Sequence, residues 1–162
     1  MNLRIGNGVD FHKFAPEIGD FHIMLGGIKI PHKQELLAHS DGDVILHSMC
    51  DAIFGAIASG NIGFHFPPSD SKWKDAESKI FLEYAYQLLK KAGGEIVNFD
   101  FTIMGENPKI MPHAIAIREN ISQILGLETS RISIKAVTTE TMGFLGRGEG
   151  VGCLATGLFI LK

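Results

Sequence analysis

Apolar and polar positions alternate from Leu3 to His12: Leu3, Ile5, Val9 and Phe11 point one way, Arg4, Gly6, Gly8, Asp10 and His12 the other. The spacing predicts a strand that carries Asp10 and His12 on one face, beside two bare glycine positions. Phe21 to Leu25 and Ile28 to Ile30 predict a hairpin around Gly26-Gly27, ended by Pro31. Helical periodicity takes over at Val44, Ile45, Leu46, Met49, Ile53 and Ile57, predicting a mostly buried helix from Ser40 to about Ser59. Ser40 is a suitable N-cap, with Asp43 closing a capping box. A second helix, Asp75 to Ala92, turns Ile80, Phe81, Tyr84, Leu88 and Leu89 inward and stops at Gly93-Gly94. Ile96 to Met104 alternates again. A third helix follows Pro112, carrying Ile117, Ile121 and Leu125 to Gly126. Arg131 to Thr138 and the nearly all-apolar Val151 to Leu161 complete the strands. The expected class is α/β (an α+β sandwich), one domain over 1–162 with a mixed four-stranded sheet, helices on one face and a small hairpin.

Composition narrows the class of function. A net charge of −3 with no basic cluster argues against a nucleic-acid surface. No apolar run reaches the roughly 20 residues of a membrane span. The chain enters a strand pattern at once, which leaves no room for a leader, and the expected compartment is the cytoplasm. Cys50 and Cys153 fall in apolar segments and read as reduced core residues.

The chemistry concentrates in Leu37-Ala-His-Ser-Asp-Gly-Asp-Val-Ile-Leu-His47 and on to Asp51. His47 lies four residues from both Asp43 and Asp51, so either carboxylate is within reach of a ring nitrogen. His39 precedes the helix start, where free N–H groups and the dipole favour an anion. Asp10, His12 and His47 make a His2Asp set resembling a catalytic zinc site with an open fourth position. Lys109 in the proline loop, with Thr138 and Thr139, could face phosphate, and Glu140 suits a hard divalent ion. The local sequence alone leaves a capped core helix, and threonines capping a short helix, as competing readings. The loop from Gly60 to Asp70 carries Ile62, Phe64 and Phe66 and is either a ligand lid or pinned to the core. His22 and His32 read as surface residues.

Four ordered motifs go further: G-x-G-x-D-x-H from Gly6, A-H-S-D-G-D-V-x-x-H from Ala38, N-P-K-x-x-P from Asn107, and T-T-E-x-x-G-F-x-G-R-G-E-G from Thr138. Over its full length the chain resembles the 2-C-methyl-D-erythritol 2,4-cyclodiphosphate synthases. The resemblance implies a lyase of non-mevalonate isoprenoid biosynthesis that turns 4-diphosphocytidyl-2-C-methyl-D-erythritol 2-phosphate into the cyclic diphosphate and CMP. It implies a homotrimer built around the sheets, with active sites between neighbouring subunits. Asp10, His12 and His47 are then expected to hold Zn2+, and Glu140 to help hold Mg2+ or Mn2+. His39 and Ser40 are expected to contact the substrate's 2-phosphate, and His39 and Thr138 to be the catalytic pair. Gly105, Asn107, Pro108, Lys109, Ile110 and Met111 would form the cytidine pocket, with Thr139 also touching substrate. Phe144 and Arg147 would lie toward the trimer axis, where related enzymes have a channel that can hold an isoprenoid diphosphate.

Two positions depart from the family pattern. Its D-I-G reads Asn61-Ile62-Gly63 here, at a site expected to contact the sugar-alcohol hydroxyls. Pro68 stands where some relatives carry an acid, leaving Asp70, near Phe66, as that loop's carboxylate. A metal-dependent phosphohydrolase and a zinc-stabilised trimeric scaffold are the alternatives to the synthase.

Overall fold

The computed structural model describes residues 2–162. Its strands are β1 (Asn2–Phe14), β2 (Phe21–Leu25), β3 (Ile28–His32), β4 (Leu36–Leu37), β5 (Gly94–Met104), β6 (Ile132–Val137) and β7 (Gly150–Leu161). Its helices are α1 (Val44–Ala56), α2 (Ile62–His65), α3 (Ser78–Lys91), α4 (Ala114–Leu125) and α5 (Gly143–Gly146). Five strands form one sheet in the order β4-β1-β7-β5-β6, and β2 and β3 pair separately as the hairpin. Among the described residues only β5 and β6 pair in parallel, so the sheet is mixed as expected.

The sheet has five strands, not four. The addition is β4, whose two residues pair with Phe14 and Lys13 at the β1 edge. Two residues are too few to show any periodicity, so no hydrophobic pattern announces them.

The glycine face of β1 is the packed face. A Cβ on Gly6 would lie 1.8 Å from the carbonyl oxygen of Ala52, and one on Gly8 would lie 1.8 Å from that of Ser48. Glycine lets α1 press its backbone onto the strand, which no side chain would allow. The apolar residues on the other side of β1 are therefore left open, with Ile5 68% exposed and Leu3, Val9 and Phe11 also exposed. Leu154 of β7 continues this uncovered face. The core lies on the helix side, where Phe99, Phe101 and Phe159 meet α1, α3 and α4 residues such as Phe54, Leu82 and Ile121. Cys50 and Cys153 are free and buried there. Of the α3 residues expected to face inward, Phe81 and Leu89 do, whereas Ile80 and Tyr84 are exposed and Leu82 and Ala85 are buried in their stead, so the apolar stripe is rotated from the one expected.

The start of α1 differs from the expectation. Its N-cap is Asp43, not Ser40: one carboxylate oxygen accepts from the N–H groups of Ile45 and Leu46 at 3.1 and 3.0 Å. The same carboxylate accepts from the hairpin turn, from Gly26 N–H at 2.9 Å and Gly27 N–H at 2.6 Å. A buried aspartate thus joins the hairpin to the helix and satisfies four backbone donors, a tertiary role that local capping rules do not contain. His22 is exposed, whereas His32 stacks on Phe14 with ring centroids 4.4 Å apart.

Replacing Gly8 by Ala should force α1 off β1, costing about 3 kcal/mol, the upper end of ordinary overpacking, and lowering Tm by roughly 6–12 °C. Thermal unfolding followed by circular dichroism checks this. An unchanged Tm would show that the close approach is not required.

Candidate functional site

Alternation along β1 puts Asp10 and His12 on the glycine side, and α1 brings His47 down onto them. Asp10 Oδ2 lies 3.1 Å from His12 Nε2 and 3.0 Å from His47 Nδ1. The two ring nitrogens are 3.4 Å apart. Ligands held about 2.0–2.1 Å from a tetrahedral ion are about 3.3–3.4 Å from one another, so this triangle is close to the size that an ion needs.

The remaining ring nitrogens are committed outward. His12 Nδ1 is 3.2 Å from the carbonyl oxygen of Leu37, the product of the unforeseen strand β4. His47 Nε2 lies 2.7 Å from Ser78 Oγ and 3.2 Å from Ser40 Oγ. With both N–H groups donated outward, three lone pairs face a common point, where a cation is the natural partner. Neither Asp43 nor Asp51 holds His47: Asp43 caps α1, and Asp51 accepts from the Ile62 N–H at 2.6 Å. The i±4 spacing makes both carboxylates neighbours of His47, but each is committed to backbone N–H groups.

Electrostatics agree with this geometry. Burial pushes the Asp10 carboxyl up, but hydrogen bonds and charge from His12 and His47 outweigh it and hold the group far below the usual carboxylate range. Burial pushes His12 down, yet the Asp10 carboxylate beside it prevails and raises it above its ordinary value.

The triad opens into a cavity of about 220 Å³, also lined by His39, Ser40, Ile62, Gly63 and Phe66, with Trp73 and Phe81 as its apolar wall. Larger hollows lie beside His22 and Lys29 and beside Lys13, but neither contains the triad. Asn61 caps α2, its side-chain oxygen accepting from the Phe64 N–H at 2.9 Å. In the loop from Gly60 to Asp70, Phe66 is buried against Trp73, Phe81 and Tyr84, while Phe64 stays 75% exposed. The loop is both pinned to the core and open at its tip. One carboxylate oxygen of Asp70 accepts from the Lys72 N–H at 3.0 Å.

The second group of candidates lies elsewhere. Gly105, Pro108, Lys109, Ile110 and Met111 line a cavity of about 190 Å³ with Thr138. Asn107 lines a neighbouring hollow. Thr138 Oγ1 donates to Glu140 at 2.9 Å, and Glu140 and Thr141 both adopt positive φ, 52° and 64°. Glu106 steadies that strained turn by accepting from the N–H groups of Thr139 and Thr141 at 3.2 and 3.4 Å. Asp10 aligns across the sheet with Cys153, Ile103 and Ala136 in turn, and Ala136 lines the second cavity. Three strand spacings, about 14 Å, separate the two groups within one chain. Phe144 and Arg147 belong to neither. Phe144 packs edge-on to Phe11 on the uncovered face (5.8 Å between centroids), and Arg147 pairs with Glu149 at 2.6 Å.

The model of the YgbB family matches residues 3–160. The chain belongs to the YgbB family. A 2-C-methyl-D-erythritol 2,4-cyclodiphosphate synthase of Roseobacter denitrificans is 53% identical over 160 residues, 99% of either chain. A Plasmodium falciparum IspF, solved as a CDP complex, superimposes with a TM-score of 0.86 at 39% identity, covering 99% of this chain and 97% of that one. The bifunctional IspDF of Campylobacter jejuni gives a TM-score of 0.93 at 39% identity; the match covers 99% of this chain but 43% of that longer protein.

In this YgbB member, sequence reasoning missed Asp41, Ser78, Glu106 and the Leu37 carbonyl. Ser78 is 31 residues from His47, a separation that carries no periodic signal. Glu106 sits next to the N-P-K motif, and an acid beside that motif was the one clue to it.

Because His12 must shed its proton to accept an ion, metal affinity should rise with pH, by up to about tenfold per unit, through and beyond the usual histidine range. Metal-free stability should move the opposite way. The raised His12 contributes fully below its unfolded value, and that contribution is lost as pH rises through its folded value. Asp10 contributes above the ordinary carboxylate range and loses that contribution in acid. Competition titrations and melting curves between about pH 6 and pH 8 check both slopes; a pH-independent affinity would contradict the assignment.

Proposed function

We propose that this chain is a 2-C-methyl-D-erythritol 2,4-cyclodiphosphate synthase, converting 4-diphosphocytidyl-2-C-methyl-D-erythritol 2-phosphate to the cyclic diphosphate and CMP. The observation that carries the reading is the converging Asp10, His12 and His47 triad beside its cavity, in a chain so close to named synthases. The whole of 1–162 is one such synthase domain, acting in the cytoplasm on a soluble nucleotide substrate. Among the described residues no helix is long and apolar enough to cross a membrane.

In this reading the triad holds Zn2+, and Glu140 helps to hold Mg2+ or Mn2+. When bound, these ions neutralise phosphate oxygens around the reacting phosphorus. The chain's own groups do the positioning. His39 and Ser40 meet the 2-phosphate, and Thr138 with His39 donates to charge that builds up in the transition state. The 2-phosphate is already ionised near neutral pH, so its attack needs alignment and no dedicated base. Asn61, Ile62 and Gly63 receive the sugar alcohol, with Phe66 behind them. Asn61 keeps its acceptor bonded to the Phe64 N–H, so its amide donor is what remains for substrate, where an aspartate would have a second acceptor. Backbone groups from Gly105 to Met111 read the cytosine.

Two observations support a homotrimer. The metal-bearing and nucleotide-side groups lie at opposite ends of the sheet, so a second copy is needed to bring them into one site. The uncovered apolar face of β1 and β7 is the kind of surface that association removes from water. Phe144 and Arg147 then line the axis, with Arg147 as the anion contact for an isoprenoid diphosphate.

Phosphorus NMR of the protein with the diphosphocytidyl substrate and Mg2+ tests the activity. It should show stoichiometric CMP and a cyclic diphosphate, lost on chelation of zinc; a linear phosphate product would make the protein a hydrolase. Asn61→Asp should change KM severalfold while zinc content stays at the wild-type level. An equal loss of metal would contradict the placement of Asn61 in the sugar-alcohol site.

A further inference from the structure

We infer that Ser78 and Asp41 form a one-way hydrogen-bond brace that holds His47 in its metal-binding orientation, making Ser78 a positioning residue of the metal centre. The inference rests on the reading that the triad binds a divalent ion.

Two hydroxyls lie near His47 Nε2, and they are not equivalent. Ser78 Oγ is the closer, at 2.7 Å against 3.2 Å for Ser40 Oγ. Ser78 is fully buried and is the first residue of α3, so its position is set by a helix, whereas Ser40 sits on the partly open loop before α1.

A serine hydroxyl can donate or accept, and left alone it would not fix the ring's tautomer. Asp41 removes the choice. Its Oδ1 accepts the Ser78 hydroxyl proton, and its Oδ2 accepts from the Ser78 backbone N–H at 3.0 Å. With its own proton committed, Ser78 Oγ can only accept, so His47 must donate from Nε2. That leaves the Nδ1 lone pair facing Asp10 and His12. A carboxylate behind the hydroxyl also makes it a stronger acceptor, which raises the basicity of the imidazole toward an ion.

The brace is anchored along both of its strands of chain. The Asp41 N–H donates to the Ala76 carbonyl at 3.2 Å, and the Asp75 N–H to the His39 carbonyl at 2.7 Å. Segments 39–41 and 75–78 are thus zipped together around Ser78. The residues read as phosphate contacts, His39 and Ser40, share this support with the metal ligand.

Zinc affinity, measured by chelator competition on the full-length protein, provides the test, together with the visible absorption of the Co2+-substituted form and the Tm of the metal-free form. Ser78→Ala should lower zinc affinity about 10–100-fold and shift the Co2+ bands, while Ser78→Thr, which keeps the hydroxyl, restores both. Ser40→Ala should leave zinc affinity within about twofold, because the nearer hydroxyl carries the bond. If Ser78→Ala does not fold, Asp41→Asn at its half-buried position reports instead, with a severalfold loss of zinc affinity. A Ser78→Ala protein that melts lower but binds zinc as wild type would reduce Ser78 to a structural helix residue and overturn the inference alone. Loss of affinity in Ser40→Ala instead of Ser78→Ala would overturn it as well. Wild-type protein that takes no zinc or cobalt would overturn the metal reading and this inference together.

Discussion

Everything at the metal centre depends on how close α1 can come to β1. Gly6 and Gly8 remove the side chains that would hold the helix away, and the carbonyls of Ala52 and Ser48 occupy the space a Cβ would need. Ser48 is the neighbour of His47, so the contact that seats the helix also sets the reach of the ligand. Asp10 lies two residues beyond Gly8 on the same face, and its carboxylate meets His47 at 3.0 Å. A helix a few ångströms further out would leave a strand with two ligands and a histidine facing the core.

The same constraint shapes the outer surface. A strand whose packed face is glycine must keep its large apolar side chains on the other face, and β1 does so with Leu3, Ile5, Val9 and Phe11. The alternation that looks like an ordinary half-buried strand is inverted: the residues that look like core are outside. Burying that face against further copies, as the synthase reading requires, turns a cost in one chain into the contact between several.

Much of this was legible in the sequence, and the parts that were not share a cause. Strands, helices and the hairpin follow from period and punctuation, and Asp10 and His12 fall on one face by simple alternation. Asp43 was misplaced as the third residue of a capping box because its partners at Gly26 and Gly27 belong to a hairpin far away in the chain. β4 was missed because two residues have no period, although its Leu37 carbonyl orients His12. Ser78 was missed for want of any local signal: it matters only once α3 is docked beside α1. The family motifs supplied candidate residues such as Thr138 and Lys109 that periodicity alone would have left as loop. What no motif conveyed is that these residues and the metal triad lie at opposite ends of one sheet.

The central claim is that three preset side chains form a single divalent-ion site. Anomalous X-ray scattering at the zinc edge, from crystals grown without chelator, tests it most directly. The account predicts one peak per chain, about 2.0–2.2 Å from Asp10 Oδ2, His12 Nε2 and His47 Nδ1 together. A peak held by other residues, or crystals of zinc-loaded protein with none at this triangle, would contradict it.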